Sequence, residues 1–182
     1  MTKYGHWCKK TVPVALVQPR PKNRAPYALL DEHFVIAAVT VVSKECSGIV
    51  FQASQAEAGQ ASELAFSAGR PQARWVDTRG RKVKLTGDKS ITLNLPLLLA
   101  LISSPGTQTL RVDGAEVASA SATLGPAYFA QVLIGWDFFN FYPVAGFQGH
   151  SHAVIAGKGR PSAGEMAVLE HYLASREGIG MT

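Results

Sequence analysis

Between His33 and Gly157 the apolar positions come in short runs, some continuous and some alternating with polar ones. The segment His33–Val42 (HFVIAAVTVV) is β-branched and apolar at odd and even positions alike, which predicts a strand buried on both faces. Ile49–Ala53, Glu63–Ser67, Ala73–Asp77 and Leu97–Ser103 predict further strands. In Arg81–Thr86 the residues Lys82, Lys84 and Thr86 alternate with Val83 and Leu85, the pattern of a strand with one wet and one dry face. Ile91–Leu95 alternates in the same way. Thr107–Val112 and Ala115–Ala120 flank Asp113-Gly114, a pair that tolerates positive φ and so suits a type I′ hairpin. Gln131–Gly135 and His150–Gly157 complete the set.

One segment is helical. Ser162-Ala163-Gly164-Glu165 has the form of a capping box, in which the hydroxyl and the carboxylate each satisfy a backbone N–H. Met166, Leu169 and Leu173 then form an apolar stripe, and Gly178 and Gly180 stop the helix. Many short strands with turns between them, and a single terminal helix, predict an all-β antiparallel sandwich of jelly-roll type, spanning residues 27–182.

Composition agrees. Of 182 residues 47% are hydrophobic and 17% charged, too little charge for a disordered chain or a coiled coil. The most apolar run, Leu95–Ile102, is interrupted by Pro96 and is far shorter than the roughly 18 residues a membrane helix needs. The first ten residues lack the apolar core of a signal peptide, so no ordinary secretory export is expected. Cys8 and Cys46 have neither metal-ligand nor redox spacing.

The net charge of +5 is unevenly placed. Residues 1–26 carry Lys3, Lys9, Lys10, Arg20, Lys22 and Arg24 and no acid, which leaves the rest of the chain near neutral. Pro13, Pro19, Pro21 and Pro26 fix φ and withhold ladder donors, so this stretch predicts an extended basic arm that docks on a neighbour.

Several segments in series are similar to one family. Leu110-Arg111-Val112-Asp113-Gly114-Ala115-Glu116-Val117-Ala118 resembles the hairpin L-x-V-N-G-x-x-V-A, and Leu133-Ile134-Gly135 and Phe147-Gln148-Gly149 follow in order. Ser162 to Leu173 looks like the closing helix L-S-x-A-E-x-x-x-L-E-x-Y-L. Together they resemble the concanavalin A-like lectin and glucanase superfamily, in its laminin-G-like jelly-roll branch as found in bacteria and phages. The resemblance implies the fold; members include glycan binders, hydrolases, adhesion domains and phage particle components, so function has to come from the sites.

The glucanases of this superfamily use paired carboxylates in E-x-D-x-x-E, and this chain has no E-x-D. It also lacks G-x-S-x-G and a phosphate loop, so no catalytic residue and no enzymatic activity are expected. His150 and His152 share a strand face but have no third ligand in view, and no metal or cofactor is expected. The basic stretch Arg70, Arg74, Arg79, Arg81, Lys82, Lys84 and Lys89 includes Trp75, but acids dilute it and its alternation fits a solvated strand face, which argues against nucleic acid. The densest chemistry is Trp136, Asp137, Phe138, Phe139, Asn140, Phe141 and Tyr142. Such a loop can close an open end of the sandwich, anchor a protein contact, or stack rings on a sugar while Asp and Asn bond its hydroxyls.

The sequence thus favours a non-enzymatic structural protein of a phage particle, a capsid decoration or a tail part. It would be present in several copies, with the arm docked on neighbouring subunits, the aromatic loop as a second contact, and no membrane. The alternative is a glycan-binding, lectin-like module of a bacterial surface or the extracellular space.

Overall fold

The computed structural model describes residues 28–54, 61–88, 91–129, 131–139 and 142–181. The arm of residues 1–26, with Lys3, Lys9, Lys10, Arg20, Lys22 and Arg24, lies outside them, as do Lys89, Asn140 and Phe141.

Two five-stranded antiparallel sheets pack face to face. Sheet I runs β14 (Gly149–Lys158), β2 (His33–Val41), β7 (Pro96–Ser104), β8 (Gly106–Val112) and β9 (Ala115–Ala122). Sheet II runs β11 (Gln131–Ile134), β3 (Gly48–Ser54), β4 (Ala61–Ser67), β5 (Arg70–Val76) and β6 (Lys82–Thr86). Two short pairs complete the strands, β1 (Ala28–Leu30) with β10 (Ala127–Phe129) and β12 (Trp136–Phe139) with β13 (Tyr142–Gly146).

The predicted two-sided burial of the first long strand has a simple geometric cause. Val35, Ala37, Val39 and Val41 face the interior between the sheets, where Phe51, Leu64, Phe66, Leu99, Leu101 and Leu110 meet them. Ile36 and Ala38 point the other way, with Leu98 and Ala100 of β7, into a second core under helix α1 (Ala163–Glu177). Met166, Leu173 and Ala174 of α1 close that layer. The capping box is present in both directions, and Gly178 ends the helix in the left-handed region at φ 66°.

An ion pair fixes α1 to sheet I. Arg111 of β8 donates to both carboxylate oxygens of Glu170, at 2.8 and 3.0 Å, and Glu170 is 1% exposed. The same guanidinium bonds the Gly114 carbonyl in the hairpin turn. Asp113 (φ 49°) and Gly114 (φ 80°) hold the positive angles expected of type I′, and the Asp113 carboxylate accepts the Leu98 N–H at 2.9 Å.

Ile91–Leu95 is not a strand. Ile91 and Leu93 do pack against the core, as the alternation implied, but Asn94 turns at φ 60° and gives its N–H to the Val41 carbonyl, which bends the segment over the sandwich rim. Ile91 and Leu93 are partly buried while Leu95 is 56% exposed, so the apolar alternation follows the core only as far as the turn.

Removing one partner from the buried Arg111–Glu170 pair strands a charge in low dielectric. Glu170→Leu is expected to lower unfolding free energy by about 3 kcal/mol or more, and adding Arg111→Met to recover most of it. Urea denaturation of the two single variants and the double variant checks this.

Candidate functional site

The sandwich has two unlike ends. Strand registers put His33, Ser62, Trp75, Ser103 and Gln108 together at one, and Val41, Cys46, Phe66 and Phe147 at the other.

At the first end the imidazole of His33, 3% exposed, hydrogen-bonds Ser62 Oγ at 2.6 Å and stacks on the Trp75 indole with centroids 4.4 Å apart. Burial pushes its pKa down to about 3, so the ring is neutral near pH 7. Gln108 donates to the Ser104 carbonyl at 3.0 Å. Beside this cluster the β5–β6 turn is tied by Asp77, 1% exposed, whose carboxylate accepts the backbone N–H groups of Arg79, Arg81 and Gly125 and the Arg81 Nε–H, all at 2.8–2.9 Å. Burial alone would raise the Asp77 pKa, but these bonds outweigh it and hold the carboxyl below its usual range. Asp77 joins sheet II to the segment before β10 and is a structural knot. Both its oxygens are taken up by backbone N–H groups and the Arg81 side chain.

At the second end the chain crosses from sheet II to sheet I through the β12–β13 hairpin. Gly135 extends the β11 ladder by donating to the Val50 carbonyl at 2.9 Å, and Phe147 N–H returns to the Gly135 carbonyl at 3.0 Å. A Cβ on Gly48 (φ 136°) would lie 2.5 Å from the Gly146 carbonyl oxygen, so glycine is required where the hairpin base crosses β3. The Phe147 ring stacks on Phe66 at 5.7 Å and plugs this end, and the buried, unbridged Cys46 thiol donates to the Gln148 carbonyl at 3.3 Å. Burial first, opposed by that bond, pushes the Cys46 thiol pKa up, away from thiolate chemistry.

The sequence-derived loop Trp136–Tyr142 is therefore a hairpin. Trp136 pairs with Gly146, Asp137 with Ala145, Phe138 with Pro143 and Phe139 with Tyr142, with a bulge between Asp137 and Phe138. Neither strand joins a five-stranded sheet. The element that closes the sandwich end is its base at Phe147, outside the aromatic cluster Trp136–Tyr142.

The outer face of sheet II carries a polar row that the sequence did not announce. Gln52, Glu63, Arg74 and Lys84 sit in register across β3, β4, β5 and β6. Gln52 Nε2 donates to Glu63 Oε1 at 2.9 Å, and Arg74 Nε donates to Glu63 Oε2 at 2.6 Å. Glu63 is 5% exposed while the Arg74 side chain is 44% exposed, so the row runs from buried to wet. Only cross-strand register reveals it: its residues are eleven, eleven and ten apart in sequence.

The basic stretch comes apart in three dimensions. Trp75 points into the core, Arg74 pairs with Glu63, Arg81 with Asp77 and Arg70 with Asp88, while Lys82 and Lys84 are exposed as the alternation predicted. His150 and His152 lie exposed on the edge strand β14, rings 6.5 Å apart, with His152 on Thr40 Oγ1 at 2.8 Å. Among the described residues no three His, Cys, Asp or Glu gather as a metal site. No described helix is long and apolar enough to cross a membrane.

No family profile matches the chain, and no curated protein sequence does. Solved structures do. The CBM40 of the Ruminococcus gnavus IT-sialidase, bound to α2,3-sialyllactose, aligns with a TM-score of 0.64 at 13% identity, over 78% of this chain and 83% of that one. A heptameric SAP-like pentraxin from Limulus polyphemus aligns with a TM-score of 0.62 at 9% identity, over 80% of this chain and 72% of the other. The binding domain of Botulinum neurotoxin serotype D aligns at 0.60 and 11% identity, over 86% of this chain and 39% of that one. The fold is a lectin-like jelly-roll β-sandwich. At such identities the likeness reaches the fold and stops there.

The depressed His33 pKa links stability to pH. Below about pH 6.5 the unfolded chain takes up a proton that the folded His33 refuses, so stability falls as pH drops from there toward about 3. His33→Phe is expected to flatten this slope between about pH 6.5 and 4.5, read from urea midpoints across that range.

Proposed function

We propose that the protein is a non-enzymatic, lectin-like recognition module that binds carbohydrate through the β12–β13 hairpin. The supporting observation is the hairpin itself: a separate two-stranded element, anchored at Gly48, Gly135 and Phe147, whose sequence holds Trp136, Asp137, Phe138, Phe139 and Tyr142. Rings supply flat apolar faces for sugar C–H surfaces, and a carboxylate accepts from hydroxyls. Two of the similar folds belong to a CBM40 bound to sialyllactose and to a toxin binding domain, which favours a recognition role.

The module works by binding rather than cleavage. Its buried carboxylates, Glu63, Asp77 and Glu170, are all committed to arginines or backbone N–H groups, and this leaves no free acid and base facing each other among them. The laminin-G-like assignment rests on the hairpin Leu110–Ala118 and the closing helix, and a cell-surface or extracellular setting is the one the glycan reading implies. The phage-particle reading rests on the basic arm, outside the described residues, and none of the three neighbours named above is a particle component.

Retention of the full chain on a glycan array tests the proposal. Trp136→Ala and Phe139→Ser are each expected to weaken binding by about 30-fold, matching about 2 kcal/mol for a central ring, with unchanged melting temperature. A large fall in melting with retention intact makes the hairpin a cover for the core, and no retention on any glycan removes the reading altogether.

A further inference from the structure

Far from the hairpin, where β14 meets the start of α1, a groove of about 760 Å³ opens between sheet and helix. Phe34, Pro161, Val168 and Leu169 give it apolar walls, and Lys158 and Arg160 stand on its rim. Val168 is 69% exposed, unusual for a valine on a helix whose opposite face is fully packed. Glu165 also lines the groove, but its carboxylate accepts from the Ser162 N–H and hydroxyl, both at 2.8 Å. Lys158 and Arg160 have no acidic partner among the described residues.

The groove borders an open sheet edge. β14 is the outermost strand of sheet I among the described residues, paired only with β2. A bulge between Ser151 and Ala153 distorts its first part, the usual protection of an exposed edge. From Ala153 to Lys158 the register with Ala38 to His33 is regular, which leaves about 20 Å of undistorted edge leading to the groove.

We propose that this edge and groove dock an extended peptide segment of another protein, apolar at alternate positions and acidic between them, which adds to sheet I as a sixth strand. Unpaired ladder groups call for an extended backbone, the apolar walls take its alternate side chains, and the two free cations set its charge. The chain's own arm fits badly, since residues 1–26 are basic and contain four prolines. The site is independent of the glycan reading and uses none of its residues.

The test uses the full chain and a fluorescein-labelled eight-residue peptide of alternating Glu and Val, followed by fluorescence anisotropy. Controls are the same peptide with Lys for Glu and one with a central Pro. The Glu–Val peptide is expected to bind with Kd below about 100 μM, and each control at least tenfold more weakly. Lys158→Glu with Arg160→Glu, both at exposed positions, should weaken the Glu–Val peptide at least tenfold without moving the melting temperature. Amide exchange should slow across residues 153–158 when the peptide binds. Equal binding by the charge-reversed variant, equal binding of the Pro peptide, protection confined elsewhere, or no binding below about 1 mM would each overturn the proposal. So would loss of a glycan-array signal in that variant with no peptide binding, which would make the groove a sugar site.

Discussion

The two middle strands of sheet I, β2 and β7, are apolar on both faces, and that constraint governs the rest of the fold. A sandwich can bury only one face of a sheet. The other face, Ile36, Ala38, Leu98 and Ala100, therefore needs a cover, and α1 is the cover. Once α1 lies there, Glu170 comes within reach of β8 and is left almost without water, so it requires a cation that is itself well held. Arg111 meets the need because its fork spans both oxygens while another of its bonds reaches the Gly114 carbonyl. The type I′ turn, the ion pair and the helix are thus one connected unit, and the bond from the Leu98 N–H to the Asp113 carboxylate ties it to β7.

Most of this was legible in the chain because it is encoded locally. Two-sided apolarity in His33–Val42, Asp113-Gly114, and Ser162 with Glu165 each state a structure within a few residues. What stayed hidden is encoded across strands. The Gln52–Glu63–Arg74 row depends on the register of β3, β4 and β5, and the Asp77 knot depends on Gly125, far along the chain. Ile91–Leu95 misled for a complementary reason: its alternation holds for Ile91 and Leu93, which pack on the core, and is silent about the turn at Asn94, after which Leu95 is exposed. The aromatic segment was read as a loop because its rings do not alternate with polar residues as a half-buried strand does, and it forms a hairpin paired only with itself.

The ends of the sandwich show how differently one fold can seal its interior. At the His33 end the closure is polar: a neutral imidazole, a serine, an indole and a glutamine stand where aliphatic groups would otherwise pack. Such a cluster holds only while its hydrogen bonds are made and His33 stays uncharged, which makes this end the acid-sensitive one. At the Phe147 end the closure is a single ring stacked on Phe66, with a neutral thiol beside it.

That difference bears on where recognition can sit. A hairpin that presents a binding surface must be held without being buried, or its side chains would be used up in stabilising the fold. At the base of the hairpin Gly48 admits the crossing chain, Gly135 prolongs the β11 ladder, and Phe147 fills the core gap. The strands Trp136–Phe139 and Tyr142–Gly146 pair with each other and join neither five-stranded sheet. Sandwiches with about a tenth of their residues in common keep one architecture, so what such a module binds has to be read from its own surface and not from the fold.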